Sequence, residues 1–334
     1  MKRYIPLLFL GFLLTVSLNL NFIDCQDIPF QKNDIDNYME MFTGTQNTDI
    51  YHIFYVSQIK SIMRFTGYSA SYVVFYTMLL KAYLFFPFCI FLFYCSINRS
   101  PRQALYAVVL LYSFTWFLPM HLLLGLHAQF DSMLFYVIYL CANNLRKKVY
   151  DTDLEIVFYG SIFFSVISHP YILFVFYLRY LFYGRKEPKI LFIASVLMSA
   201  FLIYRFANPQ FLFGFDGKTD LLTAFLVFPF SLVTLWYIKG LPLPKRSKKY
   251  FFALVVLGVL SDNHRMMLIT MIELGYYFSL WLTSRNNLLK LYIWIFSLLY
   301  FYYTWVFWLS AFRAEIINER TITTYCFDLL TGAK

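Results

Sequence analysis

Four polar clusters interrupt an otherwise apolar chain, and each has residue types suited to work on a sugar or a phosphate. In Gly125-Leu126-His127-Ala128-Gln129-Phe130-Asp131, His127 and Asp131 stand four residues apart. That spacing puts them on one helical face, where an imidazole can act as base with a carboxylate to orient it. Asn33-Asp34-Ile35-Asp36-Asn37-Tyr38 offers two carboxylates that could orient a sugar hydroxyl or take its proton. Asp34 and Asp36 would serve equally well as a helix N-cap and a solvated acidic turn. In Asp262-Asn263-His264-Arg265, the guanidinium of Arg265 can hold a phosphate through two parallel bonds, with Asp262 or His264 setting its direction. The competing reading of Arg265 is a side chain reaching toward water from an interface. His169-Pro170 reads as a turn, because the residue before proline is pushed out of helical geometry. A further loop, 208–218, carries Asp216 and Lys218 and follows Arg205. Those charges could touch an anionic head group while the loop's aromatic rings stack on sugars or dip into lipid.

The signatures of soluble enzymes are missing. The chain has no P-loop, no G-x-G-x-x-G, no H-E-x-x-H, no C-x-x-C and no G-x-S-x-G. Neither a nucleotide, a redox cofactor nor a metal is expected. Its five cysteines lack metal spacing: Cys89, Cys95 and Cys141 read as packing residues, while Cys25 and Cys326 leave a disulfide open.

The elements that must position these clusters follow from composition. Of 334 residues, 60% are hydrophobic and only 14% charged, against about 25% charged in an ordinary soluble domain. The expectation is an all-α, polytopic integral membrane bundle forming one domain over 1–334. Spans are placed at 4–22, 71–95, 104–120, 122–142, 154–168, 170–184, 190–206, 221–238, 250–261, 266–284 and 291–312, eleven in all. The segments 154–168, 170–184 and 250–261 are short for a bilayer, which suggests tilted or re-entrant helices there. The first segment reads as an uncleaved signal anchor, with Lys2 and Arg3 ahead of it and no small-residue cleavage site behind. In the first outer loop, about 23–70, residues 50–65 have apolar positions at helical spacing with Lys60 and Arg64 opposite. This pattern predicts an amphipathic helix on the outer membrane surface.

Charge sets the orientation. With the N-terminus inside, seventeen of the 28 basic residues fall in cytoplasmic segments, against four of the 18 acidic ones. That is the positive-inside asymmetry, and it accounts for the net charge of +10 without nucleic acid. The C-terminus then lies outside. Lys81, Arg179 and Glu273 fall within spans; Lys81 and Glu273 are open to pairing with each other or with the outer clusters.

Cations and imidazoles near the outer bilayer surface suit a lipid diphosphate, whose anionic group sits at that depth with its glycan in the water beyond. Cleaving the sugar–diphosphate bond leaves negative charge on the departing phosphate, which a preplaced arginine or lysine would stabilise. The acceptor hydroxyl needs a base such as His127 or an aspartate.

At these residues the chain resembles the bacterial polysaccharide repeat-unit polymerases, the Wzy-like and EpsG-like group of O-antigen, capsule and exopolysaccharide systems. The likeness rests on an aspartate–tyrosine element, 34–42, on His169-Pro170 followed by aliphatic residues, on a helix opening with Arg265 and running through Tyr276-Tyr277-Phe278, and on a last long apolar segment after Arg285. The family usually opens the segment matching 122–142 with an Arg-Gln pair. This chain has His127 and Gln129 instead, so the grip on the diphosphate passes to His127, or to Arg265 or Arg205. The resemblance implies an undecaprenyl-diphosphate-linked oligosaccharide as substrate and en bloc transfer of the growing chain to the next lipid-linked unit. It also implies the outer face of the bacterial inner membrane as the location, with a flippase and a chain-length regulator as partners. On this reading His127, Asp131, Asp34 and Asp36 are the catalytic candidates. Arg265, Arg205, Lys218 and His264 are the candidates for holding the diphosphate.

Two rivals compete. A GT-C-type glycosyltransferase using a lipid-phosphate-linked sugar would explain the 34–36 acids, the surface helix and the Gln129-Phe130-Asp131-Ser132 stretch. A polar-lipid transporter or flippase would place Lys81 and Glu273 along a pathway, and the internal symmetry that would favour it is not found in the sequence.

Overall fold

The computed structural model describes residues 52–70, 80–98, 100–114, 127–149, 151–169, 171–183, 243–260 and 264–283, with isolated positions at 41, 42, 44, 73, 74, 77, 193, 196, 238, 240 and 241. These residues form α1 (Ile53–Thr66), a one-turn π-helix (Lys81–Phe85), α2 (Phe86–Ile97), α3 (Pro101–Phe114), α4 (His127–Arg146), α5 (Thr152–Ser168), α6 (Ile172–Tyr183), α7 (Lys245–Leu260) and α8 (His264–Thr283). No strand occurs among the described residues.

The expected bundle of eleven membrane spans is overturned. Among the described residues, no helix is long and apolar enough to cross a membrane. Length is the first reason. Six of the α-helices have between 12 and 17 residues, about 18–26 Å of rise against a hydrocarbon layer of about 30 Å. Polarity is the second. The 20-residue α4 carries Gln129, Asp131, Ser132 and Asn143, all buried. The apolar run at 71–95 also carries a charge, Lys81, at the start of a π-turn through which the helix continues into α2. The segments 4–22, 190–206, 221–238 and 291–312 lie outside the described residues, isolated positions apart.

The helix expected on the membrane surface is present as α1, but it seats differently. Its Tyr55, Val56 and Ile59 are buried, and Phe54 meets Phe135 of α4 and Phe164 of α5 at centroid distances of 6.2 and 5.6 Å. The apolar face of α1 therefore packs on the bundle. Gly67 ends the helix in the left-handed conformation (φ 74°), and its N–H is donated to the Met63 carbonyl at 2.8 Å.

Local chemistry sets the other boundaries. Asp151 caps α5, its carboxylate accepting the Asp153 N–H at 2.9 Å, with Asp153 and Glu155 in the first turn beside the positive end of the helix dipole. At its other end, His169 is extended ahead of Pro170, and its Nδ1 accepts the Tyr171 N–H at 3.3 Å. The expected turn is there.

Helix α4 lies at the centre. It crosses α5 closely through small polar residues: the Ser132 hydroxyl donates to the Ser165 carbonyl and the Ser165 hydroxyl to the Ser132 carbonyl, each at 2.8 Å. On its other side Phe130 meets Phe86 of α2 at 4.7 Å. The direction of each helix follows from its end contacts. Lys81, just before α2, meets Asp131 near the start of α4, while Ser96 near the end of α2 accepts from Asn144 and Lys148 near the end of α4. Gln103, early in α3, donates to Ser279, late in α8. One pole therefore gathers the start of α3 and the ends of α2, α4 and α8. The opposite pole holds Lys81 and the starts of α4 and α8.

Candidate functional site

Two buried ion pairs dominate the polar interior, and both involve residues that the sequence marked as isolated charges. Lys81 sits on the first residue of the π-turn. Its ammonium lies 2.7 and 2.8 Å from the two carboxylate oxygens of Asp131, donates to the Gln58 side-chain carbonyl at 3.2 Å, and stands 5.4 Å from the centre of the Tyr55 ring. Asp131 is 1% exposed. The Lys81 side chain keeps 20% of its surface open. Burial pushes the Asp131 carboxyl above its ordinary range, and the adjacent ammonium opposes that shift. The extra residue of a π-turn turns a side chain out of the regular helical array, which is how such turns come to serve functional sites.

The arrangement changes the expected role of Asp131. Its Oδ2 accepts from Lys81, its Oδ1 lies within ion-pair distance of the same ammonium with no hydrogen bond among the described residues, and almost none of its surface meets solvent. It is placed to hold a cation. His127 is one turn earlier on α4, and His264 with Arg265 open α8 at the same pole. The side chains of His127, His264 and Arg265 lie outside the described residues, as do Asp34, Asp36, Arg205 and Lys218 altogether. Of the eight candidates, then, Asp131 is the one whose surroundings can be read. Next to it, the buried Gln129 amide oxygen has no hydrogen-bond partner among the described residues. The missed member of the site is Lys81, which the sequence showed as a lone charge in an apolar run.

The second pair joins four helices. Arg179 of α6 donates to Glu273 of α8 at 2.8 Å. The hydroxyls of Tyr136 (α4) and Tyr250 (α7) donate to the other Glu273 oxygen at 2.6 and 2.8 Å. The guanidinium lies 5.3–5.7 Å from the centres of the Tyr183, Tyr250 and Tyr139 rings. Three charge-assisted bonds and three ring faces replace the water that both charges lose. Burial and the nearby Glu273 charge hold the Tyr136 and Tyr250 phenols well above their usual range, so both stay protonated and act as donors. Glu273 is thus partnered by Arg179 and not by Lys81. With Arg179 and Glu273 both at least nine-tenths buried, this centre ties the bundle together and offers little to a ligand.

Cys89, Cys95 and Cys141 are partly buried free thiols; burial, and then Cys141 nearby, pushes the Cys89 thiol up to about 11. Such a thiol packs and does not attack. Cys25 and Cys326 lie outside the described residues. No metal-binding group of histidines, cysteines and acids occurs among the described residues. Compared with known proteins, the chain matches no family model, no curated protein and no solved structure.

Proposed function

We propose that the protein is a glycosyltransferase acting on a lipid-linked saccharide, with a polysaccharide repeat-unit polymerase as the form the sequence resemblance suggests. The observation that carries this reading is the partly exposed Lys81 side chain, its ammonium fixed by buried Asp131 at the pole where α4 and α8 begin. A cation held in one place needs no reorganisation as charge appears on a leaving phosphate, which is where its stabilisation counts most. The N-termini of α4 and α8 add their dipoles at that pole, and Arg265 in the first turn of α8 is the second candidate grip. His127, one turn before Asp131, is the candidate base for the acceptor hydroxyl.

In this scheme Lys81 and Arg265 neutralise the diphosphate, and Asp131 keeps Lys81 aimed. The acceptor hydroxyl gives its proton to His127 as its oxygen attacks the anomeric carbon. The bond to the diphosphate breaks with its electron pair on the phosphate oxygen. The partners are an undecaprenyl-diphosphate-linked oligosaccharide, membrane lipid, a flippase and a chain-length regulator, at the outer face of a bacterial inner membrane.

One contact favours a second reading. Lys81 joins Gln58 of α1 to Asp131 of the Gln129–Ser132 stretch, the two features that a GT-C-type enzyme using a lipid-phosphate-linked sugar would need together. Such an enzyme adds one sugar where a polymerase adds many. The test is to replace Arg265 with alanine in the producing cell and measure polymer length at matched protein level. Shortened or absent polymer supports the assignment, and unchanged polymer defeats it.

A further inference from the structure

The bundle shows two apolar faces that no described helix covers. On α5, Ile156 (66% exposed), Tyr159 and Phe163 (58% exposed) recur at positions i, i+3 and i+7, so they line one side of the helix. On α2 with its preceding π-turn, Leu84, Phe88 and Leu92 recur every four residues and are likewise exposed, at 56, 55 and 40%. Apolar residues aligned along one side of a helix differ from singly scattered ones, and such alignment is what a site of contact needs.

The charge at one pole says what the contact is. Arg102 opens α3, and Lys245, Arg246, Lys248 and Lys249 crowd the start of α7 with no acid in its first turn. Arg102, Lys245, Arg246 and Lys249 are exposed. Cations at a helix N-terminus face the positive end of its dipole, a placement that costs stability unless anions come from outside. The start of α7 lies at the pole where α4 and α8 end, because Gly240, just ahead of α7, sits beside Trp281 late in α8, while α7 ends four residues before α8 begins at the opposite pole. Among the described residues, the acids of that pole are Asp151, Asp153 and Glu155, and Arg146 already neutralises Glu155 at 3.0 Å. Apolar rows that run toward an excess of cations match the layered chemistry of an anionic bilayer, with hydrocarbon beyond a negative headgroup region.

We propose that the outer faces of α2 and α5 pack against the acyl chains of an anionic phospholipid bilayer, with the basic starts of α3 and α7 in its headgroup layer. This is contact with lipid and calls for no helix that crosses the bilayer. It stands independently of the glycosyl-transfer reading. The test uses the full chain carrying an environment-sensitive fluorophore on a cysteine at position 163 (Phe163→Cys, with Cys25, Cys89, Cys95, Cys141 and Cys326 replaced by Ser), floated with vesicles of phosphatidylcholine alone or mixed with phosphatidylglycerol. The expected result is flotation at least tenfold stronger with the anionic vesicles, with the fluorophore shifted to the blue. The Ile156→Glu/Tyr159→Glu pair should lower flotation more than tenfold while helix content by circular dichroism is kept. Replacing Lys245, Arg246 and Lys249 with glutamate should remove the preference for phosphatidylglycerol. A fluorophore that stays water-exposed on floated protein overturns the proposal. So does a blue shift that depends on protein concentration and not on lipid, because that result assigns the face to a second copy of the chain.

Discussion

Lys81 and Asp131 illustrate how much depends on a single pairing. Removing only one partner of a buried ion pair leaves an uncompensated charge, which costs about 3–5 kcal/mol. Lys81→Met alone should therefore destabilise the protein by an amount of that order, somewhat less because the Lys81 side chain keeps 20% of its surface in contact with solvent. Lys81→Met with Asp131→Leu should recover most of the loss, as measured by denaturant unfolding in detergent or lipid. Activity should stay absent in the double variant if the ammonium is the working group. Recovery of both stability and activity would reduce the pair to packing. Around Glu273 the same logic predicts a loss of about 3–5 kcal/mol for Arg179→Met, with four helices loosened at once. The sequence showed each of these charges as a costly residue in an apolar run, but their partners stand 50 and 94 positions away. No local spacing encodes such a pairing.

Elements were more legible than contacts. The helical spacing over 50–65 located α1, and the proline at 170 located the break between α5 and α6, because both signals are local steric or periodic ones. The π-turn at Lys81–Phe85 was not legible, since the extra residue leaves no composition mark. The close approach of α8 to Tyr94 of α2 was equally hidden, although Gly275 was its trace. A Cβ added at Gly275 would collide with the Tyr94 hydroxyl, which donates to the Ile272 carbonyl at 2.8 Å. Gly275→Ala should therefore cost about 1–3 kcal/mol through overpacking and the loss of that bond. Combining it with Tyr94→Phe should cost less than the sum of the two single changes, and a strictly additive pair would show that Tyr94 has room to move.

For the molecule as a whole, composition misled in one respect. A chain with 60% hydrophobic residues was expected to place its apolar segments across a bilayer. Instead, the described helices turn much of that surface on one another through aromatic contacts, such as Tyr139 against Phe158 and Phe176 at 5.4 and 5.2 Å. Among the apolar residues that remain outside are the rows on α2 and α5. Charge sidedness survives in another form: a basic pole at the starts of α3 and α7, and a site pole with Lys81, Asp131 and the first turns of α4 and α8. The central claim, that this second pole transfers sugars from a lipid-linked donor, is tested most directly by giving the purified full chain an undecaprenyl-diphosphate-linked oligosaccharide and resolving the products by size. The account predicts a ladder of products that disappears with Lys81→Ala. A single added unit would move the assignment to the GT-C-type reading. No product from a folded wild-type chain, or an undiminished ladder from Lys81→Ala, would contradict it.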